Sequence, residues 1–189
     1  YSIAPKSSNK QDKMVRAVFF DRDGVLNELV KRPNGEKTAP WNIDEFRPIP
    51  GATAAIELVK DMGFMAFCVT NQPDVLDEKL PMYHLNIMMQ YLLDCGLDDA
   101  LVAYERGSAW YKPNNGMIET LVRKYKIDRD ASFMIGDRWK DIVAGHKSKL
   151  TTIFVGNNYH CPEEKFKHIH PDLIADNVLH AACLIEEYA

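Results

Sequence analysis

What this chain lacks narrows its function first. Its four cysteines, Cys68, Cys95, Cys161 and Cys183, are scattered and form no C-x-x-C pair. That spacing speaks against a disulfide framework or a zinc knuckle and suits reduced thiols. No apolar run approaches the ~20 residues that a bilayer span requires, and the polar stretch from Ser2 to Lys13 has no apolar signal core. A cytoplasmic location is therefore expected. Positive charge is not in excess either: the net charge is −4 and the isoelectric point about 5.9. Neither a nucleic-acid backbone nor a membrane surface is an expected partner for such a balance. No repeat or low-complexity linker divides the 189 residues, a length that suits one domain with a sizeable core. Residues 1–13 read as a flexible or disordered tail and residues 14–189 as the domain.

What is present is an alternation of strand and helix signals. A β-branched and aromatic run, Val15 to Phe20, reads as a buried strand ending in Asp21-Arg22-Asp23-Gly24. Glu28 to Pro40, with Pro33 and Asn34-Gly35, reads as a hairpin or flap. Pro50-Gly51 opens a helix whose Ala52, Ala55, Ile56, Val59 and Met62 share one face. Further strands are expected at Phe64 to Val69, Ala100 to Tyr104, Ser132 to Ile135, Thr151 to Val155 and Leu173 to Ala175. Helices are expected over Pro81 to Leu93, around Met117 to Tyr125, through Asp141 and Val143, and from Val178. This alternation implies an α/β fold with a central parallel sheet and helices on both faces. In such folds ligands sit at the carboxyl ends of the strands.

Polar residues recur at those ends. Asp21 and Asp23 lie at i and i+2, on one side of an extended chain, where they face one substrate or simply terminate the strand in a turn. Thr70 and Asn71 follow the second strand, Lys112-Pro113 precedes a helix, and Gly136-Asp137-Arg138-Trp139-Lys140-Asp141 follows a later strand. Each group alone is weak: Thr70 suits a structural strand end, and Pro113 suits a first helical turn. Asp141 also suits a helix N-terminus through the dipole alone. Their order along an alternating chain is the stronger signal.

These four segments closely resemble the four motifs of the haloacid dehalogenase superfamily, in its phosphatase branch, over roughly Val15 to Val155. D-R-D-G-V-L-N, V-T-N-Q-P and G-D-R-W-x-D resemble above all the heptose-1,7-bisphosphate and histidinol-phosphate phosphatase family. The resemblance implies a three-layer Rossmann-like sandwich. It also implies a Mg²⁺-dependent phosphatase working through an aspartyl-phosphate. Asp21 would be the nucleophile and Asp23 the general acid and base. Asp21, Asp137, Asp141 and the Asp23 backbone carbonyl would form the metal site. Thr70 and Lys112 would stabilise the phosphoryl oxygens, and Arg22, Asn27, Thr70, Asn71 and Lys112 would bind substrate. Trp139 and Arg138 are expected to be packing and surface residues.

The chain departs from that family before the lysine motif. Many relatives carry a cysteine- and histidine-rich zinc loop there, followed by Arg-Lys-Pro. Here Cys95 to Lys112 holds one cysteine and no histidine, and Tyr111 stands at the arginine position. A structural zinc site needs about four ligands, so no structural zinc is expected. His160, Cys161, His168 and His170 match no standard metal spacing and read as solvated or packing residues. Met82, Met88 and Met89 read as core fillers. The short connections leave no room for a large cap domain, so the site should be open, completed by the flap at residues 28–40 or by a partner subunit in a homo-oligomer. The expected substrate is a small sugar phosphate, with heptose 1,7-bisphosphate the best single choice. Histidinol phosphate or another small phosphomonoester is the alternative, and a non-catalytic descendant that binds a phosphosugar or a protein is the alternative from another class.

Overall fold

The computed structural model describes residues 14–188. The tail expected at residues 1–13 lies outside the described residues.

Six parallel strands form the central sheet: β1 (Ala17–Phe20), β4 (Met65–Asn71), β5 (Asp99–Ala103), β6 (Phe133–Gly136), β7 (Thr151–Val155) and β8 (Leu173–Ala175), in the order β5-β4-β1-β6-β7-β8. Two short strands, β2 (Val30–Lys31) and β3 (Lys37–Thr38), pair antiparallel as a separate hairpin around Asn34-Gly35. The strand rows are apolar on both faces because both are covered. Along β1, Val18 and Phe20 join one core cluster while Ala17 and Phe19 join the other, the period-2 alternation of a strand between two layers.

Helices α1 (Ala52–Asp61), α2 (Met82–Asp94) and α5 (Val178–Tyr188) supply the first cluster through residues such as Ile56, Met88 and Ile185. Helix α3 (Gly116–Tyr125) supplies the second through Met117, Ile118, Leu121 and Val122, joined by Ala144 of α4 (Trp139–Lys147). Both layers are amphipathic helices with one apolar stripe turned to the sheet. Met88 and Met89 are buried as expected, whereas Met82 is exposed at the start of α2.

The strand order sets the position of the site. From β1 the chain winds outward through β4 to the edge strand β5, then returns to the other side of β1 through β6, β7 and β8. The reversal falls between β1 and β6, and a crevice opens at the carboxyl end of a sheet at such a switch point. Asp21 follows β1 and Asp137 follows β6 at that point, and the Asp21 amide donates to the Ile135 carbonyl at 2.9 Å.

Candidate active site

The turn after β1 is held by its own backbone. Amides of Val25, Leu26 and Asn27 converge on the Arg22 carbonyl, and the Gly24 amide donates to Asn27 O at 2.7 Å. Gly24 has φ +87°, and a Cβ there would stand 2.2 Å from Asp137 Oδ2. Gly136 is as constrained from the other strand: its Cβ would meet the Asp141 Cβ at 2.1 Å. Glycine at these two positions lets three acidic residues approach one point.

That point is organised around Lys112, which is 2 % exposed. Its ammonium donates to Asp21 Oδ1 at 2.7 Å and to the Val69 carbonyl at 2.7 Å, and pairs with Asp141 Oδ1 at 2.6 Å. All three ammonium protons are therefore committed. Its position is fixed by Asn71, whose amide nitrogen donates to Lys112 O while its oxygen accepts from Lys112 N, both at 2.9 Å. Asp141 divides its oxygens: Oδ2 accepts from the Arg138 amide at 3.0 Å and caps α4, while Oδ1 meets Lys112. Asp141 thus caps the helix and meets Lys112 with the same carboxylate.

Negative charge is crowded here. Carboxylate oxygens of Asp21, Asp137 and Asp141 lie within 4.8 Å of one another, forming among the described residues the group with metal-ligand spacing. Burial, then repulsion from Asp141, pushes the Asp21 carboxyl up to about 6, with Lys112 opposing. Burial, then Asp21 and Asp141, pushes Asp137 up to about 8. Burial works against the charge on Lys112, but Asp141 and Asp21 outweigh it and hold its ammonium above the ordinary lysine range. One ammonium thus bridges Asp21 and Asp141, whereas Asp137 has only Arg138 Nε at 4.0 Å from its Oδ2, and its Oδ1 is buried without a hydrogen-bond partner. An oxygen-only donor set with an orphaned carboxylate oxygen fits a hard divalent cation.

Asp23 lies beside Asp21 at the cleft and is gripped from behind. Arg22 donates to it through Nε at 3.1 Å and Nη2 at 2.8 Å, Asn27 Nδ2 at 2.9 Å and Gln72 Nε2 at 2.6 Å. Burial opposes the substrate contacts expected of Arg22 and Asn27: both are fully buried and both donate to Asp23, while Arg22, packed against Met88 Sδ, also donates to Gln72 Oε1 at 3.1 Å and Asn27 to Glu28 O at 3.1 Å. The guanidinium follows its buried partner rather than the open cleft, since an unpaired buried charge is costly. Gln72 was not anticipated; it also donates to Thr70 Oγ1 at 2.8 Å, so the buried Thr70 hydroxyl is oriented by the same network. A polar residue two positions beyond a strand-end threonine was the available signal.

The cleft above these groups has a volume of about 210 Å³. Asp21, Asp23, Lys112 and Asp141 form its floor; Lys37 and Thr38 of the hairpin, Tyr111, Arg138 and Lys140 form its walls. Arg138 is therefore a wall residue and not only a surface one. The hairpin is pinned over the cleft by Arg32, which donates to Thr38 Oγ1 at 2.7 Å and Ala39 O at 2.9 Å, forks onto Glu45 at 2.7 and 2.9 Å, and stacks on Trp41 at 3.6 Å. Trp41 in turn donates to Asp74 on the opposite rim at 3.0 Å.

Known proteins match this chain in sequence and in shape. A family described as HAD-hydrolase-like matches residues 109–181. The D-glycero-beta-D-manno-heptose-1,7-bisphosphate 7-phosphatase of Pasteurella multocida is 30% identical over 152 residues, covering 72% of this chain and 79% of that protein. The protein of the same name from Photorhabdus laumondii is 32% identical over 154 residues, covering 73% and 78%. Among solved structures, a D,D-heptose 1,7-bisphosphate phosphatase from B. bronchiseptica, complexed with magnesium and phosphate, superposes with a TM-score of 0.75 at 19% identity, covering 93% of this chain and all of that one.

Proposed function

Because the chain belongs to the haloacid dehalogenase-like phosphatases, in the family of the heptose-1,7-bisphosphate 7-phosphatases, we propose that it hydrolyses a small sugar phosphate, heptose 1,7-bisphosphate being the first candidate, by transferring the phosphoryl group to Asp21. The class of reaction, hydrolysis of a phosphoric monoester by a sugar phosphatase, follows from the family. The residue roles are our reading, and one observation carries them: a buried Lys112 between Asp21 and Asp141 beside an unpartnered Asp137 oxygen.

An Asp21 oxygen attacks phosphorus, the ester P–O bond breaks, and the leaving oxygen takes a proton from Asp23. Water then attacks the aspartyl-phosphate, Asp23 takes its proton, and inorganic phosphate leaves with Asp21 regenerated. With its pKa near 6, Asp21 is ionised for attack at neutral pH. Lys112 supports the charge gathering on the phosphoryl oxygens, and the Thr70 hydroxyl, turned by Gln72, adds a donor. Asp21, Asp137 and Asp141, with the Asp23 main-chain carbonyl, would hold Mg²⁺, which neutralises the carboxylates and the incoming phosphoryl oxygens. Arg22, Asn27 and Gln72 orient Asp23 rather than touch substrate.

A panel of phosphorylated sugars and histidinol phosphate, assayed with and without Mg²⁺, tests this reading beside Asp21→Asn. Mg²⁺-dependent turnover of at least one sugar phosphate, lost in the variant, is expected. Turnover unchanged by Asp21→Asn would remove the nucleophile, and hydrolysis of no ester in the panel would remove the enzyme reading.

A further inference from the structure

Helix α2 is apolar on two faces, and the rest of the molecule covers only one of them. Leu85, Met88, Met89 and Leu92 are buried in the core. Tyr83, Ile87 and Tyr91 follow one another at i, i+4 and i+8 on the opposite face and are 62, 49 and 43 % exposed, with Met82 beside them at 42 %. The outer faces of other helices differ: α1 exposes Thr53, Glu57 and Asp61, and α3 exposes Arg123 and Lys124. Exposed apolar residues standing singly are ordinary, but a contiguous group marks a surface that is covered in use.

The face also carries no charge. From Pro81 to Leu93 there is no Asp, Glu, Lys or Arg, in a chain where 26% of residues are charged. The exposed residues between the apolar ones, Asn86 and Gln90, are neutral amides. The first charge, Asp94, stands at the last residue of the helix and accepts from Gln90 Nε2 at 2.8 Å. The rings are held from below: Tyr91 meets Phe46 edge-on with centroids 5.6 Å apart, and Tyr83 stacks on His84 at 4.0 Å. Side chains already ordered lose little entropy when a partner covers them.

We infer that this face pairs with the same face of a second copy of the chain, the two α2 helices packing antiparallel about a two-fold axis beside Ile87. A surface that meets itself sets every charge near its own copy, so a stripe without charge is what self-pairing requires. Residues spaced by four form the ridges that interlock when two helices cross at about −50°. Antiparallel packing sets Tyr83 against Tyr91 of the second copy and Ile87 against Ile87, and it keeps the two Asp94 carboxylates at opposite ends. At roughly 200 Å² for a large side chain, the four apolar residues leave about 400 Å² exposed. Asn86 and Gln90 raise the stripe to about 600 Å², the lower end of what each partner of a specific pair buries. No group of the catalytic cleft lies on this face, so the inference stands apart from the proposed chemistry.

Sedimentation velocity of the full chain over a concentration series tests this beside Ile87→Glu, Ile87→Lys and an equimolar mixture of the two. The native protein should dimerise with a Kd on the order of 10 µM, which an interface of this size allows. Each variant alone should associate more than about a hundredfold more weakly, since like charges meet at the axis. The mixture should recover the dimer, because Glu then faces Lys. Circular dichroism should show both variants folded, as Ile87 is half exposed; should either fail to fold, Tyr83→Glu, at the most exposed of the four positions, should also abolish the dimer. A native protein that stays monomeric well above that concentration would overturn the inference and leave the face to another partner. A dimer indifferent to these charges, or a mixture that remains monomeric, would overturn it as well.

Discussion

The floor of the cleft and its rim are built on different principles. The floor is carried by strand ends: Asp21 and Asp23 after β1 and Asp141 in the first turn of α4 after β6, with Lys112 brought in from the loop before α3. It is buried, dense in charge, and tied together by short polar contacts to Lys112 and Asp23. The rim is made of the β2–β3 hairpin, Tyr111, Arg138 and Lys140. It is open, and its order comes from side chains far apart in sequence, such as Arg32 with Glu45 and Trp41 with Asp74. The proposed function assigns chemistry to the floor and discrimination to the rim. A change in the floor should lower turnover, and a change in the rim should move KM.

Removing Lys112 has the largest expected effect. Lys112→Met should lower kcat by about 10²–10³, the loss of one preorganised positive charge beside the reacting group. It also leaves Asp21 and Asp141 facing each other without Lys112, so urea unfolding should show a loss of roughly 3 kcal/mol. A variant of native turnover would place the catalytic charge elsewhere.

The second effect concerns the carboxylates and a cation. The folded pKa values of Asp21 and Asp137 are raised, to about 6 and about 8. Folding therefore favours their protonated forms, and the cation-free protein has no such penalty below the ordinary carboxylate range. The penalty accrues as pH rises from about 4 to about 8, so the cation-free Tm should fall across that window. Added Mg²⁺ should raise Tm by several degrees at pH 8, on the order of 5 °C, and by much less at pH 5. Thermal unfolding in the two buffers checks this; an equal shift at both pH values would separate the cation from these carboxylates.

The smallest effect belongs to the rim. Arg32→Ala frees the hairpin from Glu45, Thr38 and Ala39. KM for the preferred sugar phosphate should rise about threefold to tenfold with kcat nearly unchanged, as for a residue that orders a wall rather than the reaction. A fall in kcat without a change in KM would make the hairpin part of the floor.

The same division explains what could be read from the sequence. The parallel sheet, its flanking helices and the hairpin at Asn34-Gly35 followed from periodicity and turn chemistry, and the observed strands differ from expectation by a residue or two at their ends. The acids at the ends of β1 and β6 were legible because the topology brings strand tips together. The inward turn of Arg22 and Asn27 was not legible, because a polar residue in a strand-end turn gives no sign of which way it points. Here both turn inward to Asp23, with Gln72 reaching it from β4's far end. The contact of Trp139 with Phe166 was not legible either, since the two are 27 positions apart and meet only through the packing of α4 against the Glu164–Phe166 turn.

The central claim is that Asp21 carries the phosphoryl group. Rapid quenching during turnover, reduction of any acyl phosphate with borohydride, and mass spectrometry of the peptide containing residues 17–31 would locate it. Homoserine at position 21, dependent on substrate and absent from Asp21→Asn, is the expected result. Sustained turnover with position 21 unmodified and another residue reduced would contradict the account.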